Sequence, residues 1–259
     1  MDASRALGAL VLAGSGEYTP TMDIVDRYLL ELTAGRRVLL IATACAMEGD
    51  DRMTWWEQLG IEHFRQLGVA ATPVRIRDRE EADRPENAEQ VAEAGLVWFS
   101  GGTPAYLAQA FEGTLSWQAL EAANRRGAVV AGASGGLGVL NAHVASTSQG
   151  PGPQRPGVNP QGVTGLGLAA PVRAMAHFDR MEARRPEFLE QVIANLAPGQ
   201  MAVGVDEDTA VVWTESGWVA MGHKRVVVFE KGQERRVFRP GESVGVLPPP
   251  VRARPAAAK

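Results

Sequence analysis

Residues 128–140 read AVVAGASGGLGVL and place a Gly-x-Ser-x-Gly turn, Gly132–Gly136, between an apolar run and an apolar, helix-compatible segment. That is the layout of a nucleophile elbow. Small residues on both sides of Ser134 let the backbone take a strained φ/ψ, which holds the hydroxyl above a sheet edge at the start of a helix. The helix N-terminus favours negative charge there, and the Gly135 N–H can face a developing oxyanion. A serine nucleophile also needs a base within reach. The chain offers four histidines. His63 sits in a helical stretch beside Phe64 and Arg65 and reads as a surface or boundary residue. His143 follows the serine closely enough to lie on the helix that the elbow opens, pointing away from it. His223 falls in an apparent hairpin turn, Met-Gly-His-Lys. His177 follows the apolar-rich residues 170–176 at a strand end, the position from which an imidazole can reach Ser134.

Those side chains need a sheet to carry them. Apolar runs at Ala9–Ala13, Val38–Ala42, Val69–Ile76, Gly95–Phe99 and Ala128–Ala131 have strand length and turn-rich ends. Helical patterns lie between them: one from Thr19-Pro20 through Leu32, one over Thr54–Leu67, one from Pro104 through Phe111, and Trp117–Arg126. Strand–helix–strand alternation of this kind builds a parallel sheet covered on both faces. Ligands then bind at the carboxyl ends of the strands. Three loops converge there: Gly14-Ser15-Gly16-Glu17, Ser100-Gly101-Gly102-Thr103-Pro104, and the Ser134 elbow. The Gly101-Gly102 pair can complete an oxyanion hole with Gly135. It can equally serve as a turn, with Thr103 as N-cap and Pro104 as the first helical residue. Val203–Val205, Ala210–Trp213, Trp218–Met221 and Arg225–Phe229 read as short antiparallel hairpins added to the same sheet. The Gly/Pro stretch 148–162 reads as a loop, and the tail 248–259 as disordered.

Composition excludes several classes. A net charge of −4 gives no footprint for nucleic acid. The lone cysteine, Cys45, forbids an internal disulfide and points to a reducing, cytoplasmic setting. No apolar run approaches the ~20 residues of a membrane span. Gly14-x-Gly16 lacks the third glycine of a dinucleotide fingerprint, no Walker lysine follows a glycine loop, and the histidines do not cluster as metal ligands. The expectation is a single domain over residues 1–259 with no metal and no cofactor.

Five stretches, in order, carry a family resemblance: LVLAGSGEYTP, LVWFSGGTPAYLAQAFEGT, GAVVAGASGGLGVL, GLGLAAPVRAMAHFDRM and AVGVDEDTAVVW. Together the chain resembles the cyanophycinase and dipeptidase E (aspartyl dipeptidase) serine peptidases, which have the class I glutamine amidotransferase-like fold. The resemblance implies a three-layer α/β sandwich with a mostly parallel central sheet. It implies Ser134 as nucleophile, His177 as base, Gly101 or Gly102 as oxyanion contributor, and hydrolysis of a peptide bond next to an acidic residue. Two departures stand out. The family elbow usually reads Ser-Ala-Gly-Ala, and here it reads Ser134-Gly135-Gly136-Leu137, with the leucine adding bulk near the serine. The family usually places its acid between serine and histidine, yet Ser134 to His177 contains no Asp or Glu. His177-Phe178-Asp179 repeats the spacing by which class I amidotransferases set their acid, so Asp179 is the candidate. Gln149 and Asn159 are neutral alternatives, and a salt bridge of Asp179 with Arg180 or Arg184 is the bland one. Asp206-Glu207-Asp208 reads as a solvated turn between strands, although Ser134, Asp206 and His223 also follow the order of α/β-hydrolase triads.

The expected activity is hydrolysis of small acidic peptides or peptide-like amides, with Arg180 and Arg184 as candidates for recognising a carboxylate. The alternative is a catalytically impaired family member that binds a ligand or partner. A small peptide or amide is the expected partner, with no nucleic acid and no membrane, and a homodimer is compatible with the sequence.

Overall fold

Six consecutive buried or near-buried residues, LVLAGS, form β1 (Leu10–Ser15), and a strand buried on both faces belongs inside a parallel sheet. The computed structural model describes residues 8–33, 35, 37–141, 143–144, 163–169 and 172–250. After β1 come α1 (Asp23–Leu32), β2 (Arg37–Ile41), α2 (Asp50–Gln66), β3 (Ala71–Pro73), α3 (Arg79–Ala82), α4 (Pro85–Ala92), β4 (Ala94–Phe99), α5 (Pro104–Phe111), α6 (Leu115–Arg125), β5 (Val129–Ala133) and α7 (Gly135–Leu140). The second half runs β6 (His143–Val144), β7 (Val163–Thr164), β8 (Arg173–Met175), α8 (Phe178–Arg184), α9 (Pro186–Ala194), β9 (Met201–Val205), β10 (Thr209–Thr214), β11 (Gly217–Gly222), β12 (Val226–Glu230) and β13 (Arg236–Phe238). The helices α3 and α4 were not anticipated. They are short, and a side-chain cap at Asp78 and a first-turn proline at Pro85 start them.

The central sheet has the order β11-β10-β1-β5-β4-β2-β3. Its five strands from β1 to β3 are parallel, and β10 and β11 extend it as an antiparallel hairpin on β1. Alternating side chains of β1 divide between two apolar layers. Val11 and Ala13 pack with Val25 and Leu29 of α1 and Phe64 of α2. Leu10 and Leu12 face Val91 of α4, Phe111 of α5, Leu120 of α6 and Leu137 of α7 on the other side. The fold class is therefore three-layered α/β with a mostly parallel central sheet.

The C-terminal strands depart from expectation. Only β10 and β11 join the central sheet. β9 and β12 enter a second sheet of order β13-β12-β9-β8-β6-β7. The reason lies in burial. Val203 and Val205 of β9 face the same apolar layer as Leu10 and Leu12, while Ala202 packs with Phe178 and Leu189 under α8 and α9. A strand apolar on both faces needs a central place of its own. The chain thus leaves one sheet at Val205 and enters the other at Thr209, and the turn between them, 206–208, lies where the sheets meet. His143 stands in β6, beyond the end of α7, rather than on the helix. The 148–162 stretch and residues 251–259 lie outside the described residues.

Candidate active site

β5 ends at Ala133, and the chain turns so sharply that Ser134 takes φ 50° and ψ −108° as N-cap of α7. Few L-residues adopt that conformation. The four described non-glycine residues with positive φ are Tyr18, Ser134, His177 and Asp208. They come from four segments of chain that meet at one place. The Ser134 N–H donates to the Ala13 carbonyl at 3.2 Å, the His177 N–H to the Gly14 carbonyl at 3.1 Å and the Asp208 N–H to the Ser15 carbonyl at 3.1 Å, so the end of β1 ties the others together. There Ser134 Oγ lies 2.9 Å from His177 Nε2. On the far side of the ring, Nδ1 lies 2.7 Å from Glu207 Oε1. Hydroxyl, imidazole and carboxylate stand in line, the arrangement of an acid-oriented base beside a nucleophile.

The carboxylate on the imidazole is therefore Glu207, not Asp179. His177 is the N-cap of α8, and Asp179 in the first turn of that helix is directed toward the 206–208 turn. Its Oδ1 accepts the Glu207 N–H at 3.2 Å and its Oδ2 pairs with Lys224 Nζ at 2.7 Å. Burial would raise the Asp179 carboxyl, but the Lys224 ammonium and the backbone N–H outweigh it and hold the group below the usual carboxylate range. The turn read as solvated is instead cross-braced. Glu207 Oε2 accepts Arg180 Nε at 2.9 Å, and buried Asp206 holds Arg225 at 2.8 Å. Sequence signal for Glu207 was thin, because the acid lies 30 residues beyond the histidine.

The oxyanion donors also need correction. Gly101 does not offer its N–H, which donates to Glu17 Oε1 at 2.9 Å. Glu17 is only 5 % exposed, and burial pushes its carboxyl up, with the Glu17, Gly101 and Gly16 amides and His177 opposing. Gly102 is exposed. Its nitrogen lies 3.0 Å, and its oxygen 2.5 Å, from where a Cβ on Gly135 would stand. That contact explains the elbow's departure from Ser-Ala-Gly-Ala, because an alanine at position 135 would collide with the Gly102 carbonyl. Leu137 adds no bulk beside the serine. It is 1 % exposed and belongs to the core under the sheet. Gly135 is the first residue of α7, where N–H groups lack intrahelical partners.

Arg180 keeps 59 % of its side chain exposed while bound to Glu207. Arg184 is not brought to the serine. It lies about 10 Å of helix rise beyond His177, in a cleft with Arg185, Pro186, Glu187, Phe188 and Gln191. His63 is buried on Asp26 at 2.8 Å rather than at the surface, and His223 follows β11 in the turn before β12. Asp206 pairs with Arg225, not with His223. Gln149 and Asn159 lie outside the described residues. Among the described residues no cluster of three His, Cys, Asp or Glu could hold a metal ion, and no helix is long and apolar enough to cross a membrane.

A strained serine on a parallel sheet with a histidine and a carboxylate in line defines a serine hydrolase site. The sequence matches peptidase family S51 over residues 10–220. It is 25 % identical over 216 residues to a cyanophycinase of Trichormus variabilis, covering 81 % of this chain and 68 % of that one. A cyanophycinase of Geminocystis herdmanii is 24 % identical over 230 residues, covering 86 % and 80 %. The crystal structure of a peptidase from an acI-B1 Actinobacterium superposes with a TM-score of 0.81 at 31 % identity, over 93 % of this chain and 98 % of that one. A putative peptidase E of Listeria monocytogenes shares the fold, with a TM-score of 0.60 at 16 % identity over 84 % and 99 %. The chain belongs to peptidase family S51 and is a peptidase, a serine hydrolase.

Proposed function

We propose that this peptidase cleaves small acidic peptides or peptide-like amides with Ser134 as nucleophile, His177 as general base and then acid, and Glu207 as the carboxylate that orients the ring. The contacts of 2.9 Å and 2.7 Å that put the three in line carry the reading. Ser134 Oγ attacks the scissile carbonyl carbon while its proton passes to Nε2. Glu207 holds the proton on Nδ1 and stabilises the imidazolium that forms. The carbonyl oxygen, now negative, meets the Gly102 and Gly135 N–H groups. Collapse of the tetrahedral species breaks the C–N bond, and Nε2 returns its proton to the leaving amine. Water then repeats the sequence on the acyl-enzyme, releasing the acid and restoring Ser134.

The preference for acidic peptides rests on the family resemblance and on Arg180, an exposed guanidinium anchored to the orienting carboxylate. The apolar cluster that runs from Leu10 to Leu247 supports reading the chain as one domain, and the single, buried Cys45 supports a cytoplasmic setting. The alternative of a binding protein without turnover drew on a missing acid and an altered elbow; Glu207 at 2.7 Å from the ring, and a Gly135 that leaves room for the Gly102 backbone, weigh against both grounds. A panel of dipeptides carrying Asp, Glu, Asn or Gln, followed by release of free amino acid, tests the reading. Cleavage of the acidic members that vanishes in Ser134→Ala is expected. Equal cleavage by Ser134→Ala, or cleavage confined to neutral peptides, would overturn it.

A further inference from the structure

The mechanism above leaves one buried carboxylate beside the nucleophile without a task. Glu17 Oε1 lies 2.8 Å from where a Cβ on Gly101 would stand, and that same point is 3.2 Å from Ser134 Cβ and 3.6 Å from its Oγ. Taking a carboxylate out of water is costly unless its bonds repay it. Glu17 and its neighbour make two adjacent rungs across the site. Glu17 accepts the Gly101 N–H at 2.9 Å, and the Tyr18 hydroxyl meets the Ser100 hydroxyl at 3.1 Å. The two loops so joined follow β1 and β4, the strands on either side of β5. The rungs therefore bridge over the end of the strand that carries Ser134.

We infer that Glu17 is a positioning residue of the peptidase site: by holding the Gly101 N–H it fixes the Gly101-Gly102 backbone so that the Gly102 N–H faces the oxyanion beside Gly135. Two glycines in succession have no side chain to hold their peptide planes. Without an acceptor at Glu17, the Gly101-Gly102 backbone can rotate and withdraw a donor. The opposite side of the loop is already pinned, since the Thr103 N–H donates to the Ala44 carbonyl at 2.7 Å. Glu17 supplies the remaining anchor. What it must provide is an acceptor oxygen in place, which a glutamine amide also offers.

This inference rests on the proposed Ser134 site, and one experiment separates the two. A fluorophosphonate phosphonylates the serine oxygen and places its own developing oxyanion in the same hole. Its maximal inactivation rate and half-saturating concentration are measured for wild type, Glu17→Ala and Glu17→Gln, with labelling mapped to Ser134 by mass spectrometry. Loss of an oxyanion donor typically slows chemistry about 10²- to 10³-fold. Glu17→Ala should therefore lower the maximal rate about 10²-fold with half-saturation within about threefold, and Glu17→Gln should stay within about fivefold of wild type. An alanine variant that labels at the wild-type rate overturns the inference, and so does a glutamine variant as slow as alanine, because either shows that the acceptor is not what matters. Wild type left unlabelled at Ser134 would instead overturn the proposed site itself.

Discussion

At the scale of single residues, environment decides which acid does what. Glu207 and Asp179 are both near His177, yet only Glu207 reaches the ring, at 2.7 Å, while Asp179 is spent on Lys224 and a backbone N–H. Removing the nucleophile should abolish turnover. Ser134→Ala should cut peptide hydrolysis about 10⁶-fold, the loss seen when a triad serine is removed elsewhere, with the melting temperature unchanged within experimental error. Glu17 carries a prediction of a different kind. Burial raises its pKa above the unfolded value, so its contribution to stability is fully present below the unfolded value and is lost as pH rises through the folded one. Glu17→Gln keeps the acceptor and never ionises. Its melting temperature should match wild type near pH 4 and exceed it increasingly toward pH 8. A difference that is constant across that range would contradict the assignment of burial as the dominant cause.

Secondary-structure elements set where those residues stand. The strands of the parallel sheet and the Ser134 turn could be read directly, because continuous apolar runs ending in small residues allow few other structures. His177 was readable as the residue ending an apolar run. Glu207 was not, because a run of acids between two strands looks the same whether the strands form one hairpin or belong to different sheets. The difference is made by β9 being buried on both faces, a property of its neighbours rather than of its own five residues. Gly14 is the matching test at this scale. A methyl group there would overlap the carbonyl oxygens of Val205 and Asp206, which are backbone and cannot swing aside. Gly14→Ala should cost about 1–3 kcal/mol by overpacking and should slow hydrolysis more than its stability loss explains, because it displaces the turn that carries Glu207. Urea unfolding together with kcat measures both. A fully active variant would show that the turn can move without moving the acid.

Taken as a whole, the molecule draws its site from two sheets. Ser134 comes from the end of β5 in the central sheet, His177 from the end of β8 in the second, and Glu207 from the crossing between β9 and β10. Elements that are remote in the chain meet because the two sheets share one apolar layer, from Leu10 and Leu12 to Val203 and Val205. The end of β1 then fastens the three segments: the Ala13, Gly14 and Ser15 carbonyls accept the N–H groups of Ser134, His177 and Asp208. A carboxylate supplied by that junction is the account's central claim, and kcat on the dipeptide that wild type cleaves best tests it most directly. Replacing a triad carboxylate by its amide costs about 10⁴-fold in rate with geometry kept. Glu207→Gln is predicted to fall by about that factor, while Asp179→Asn, which loses only a brace on the turn, stays within about tenfold of wild type. An active Glu207→Gln enzyme beside a crippled Asp179→Asn enzyme would contradict the account.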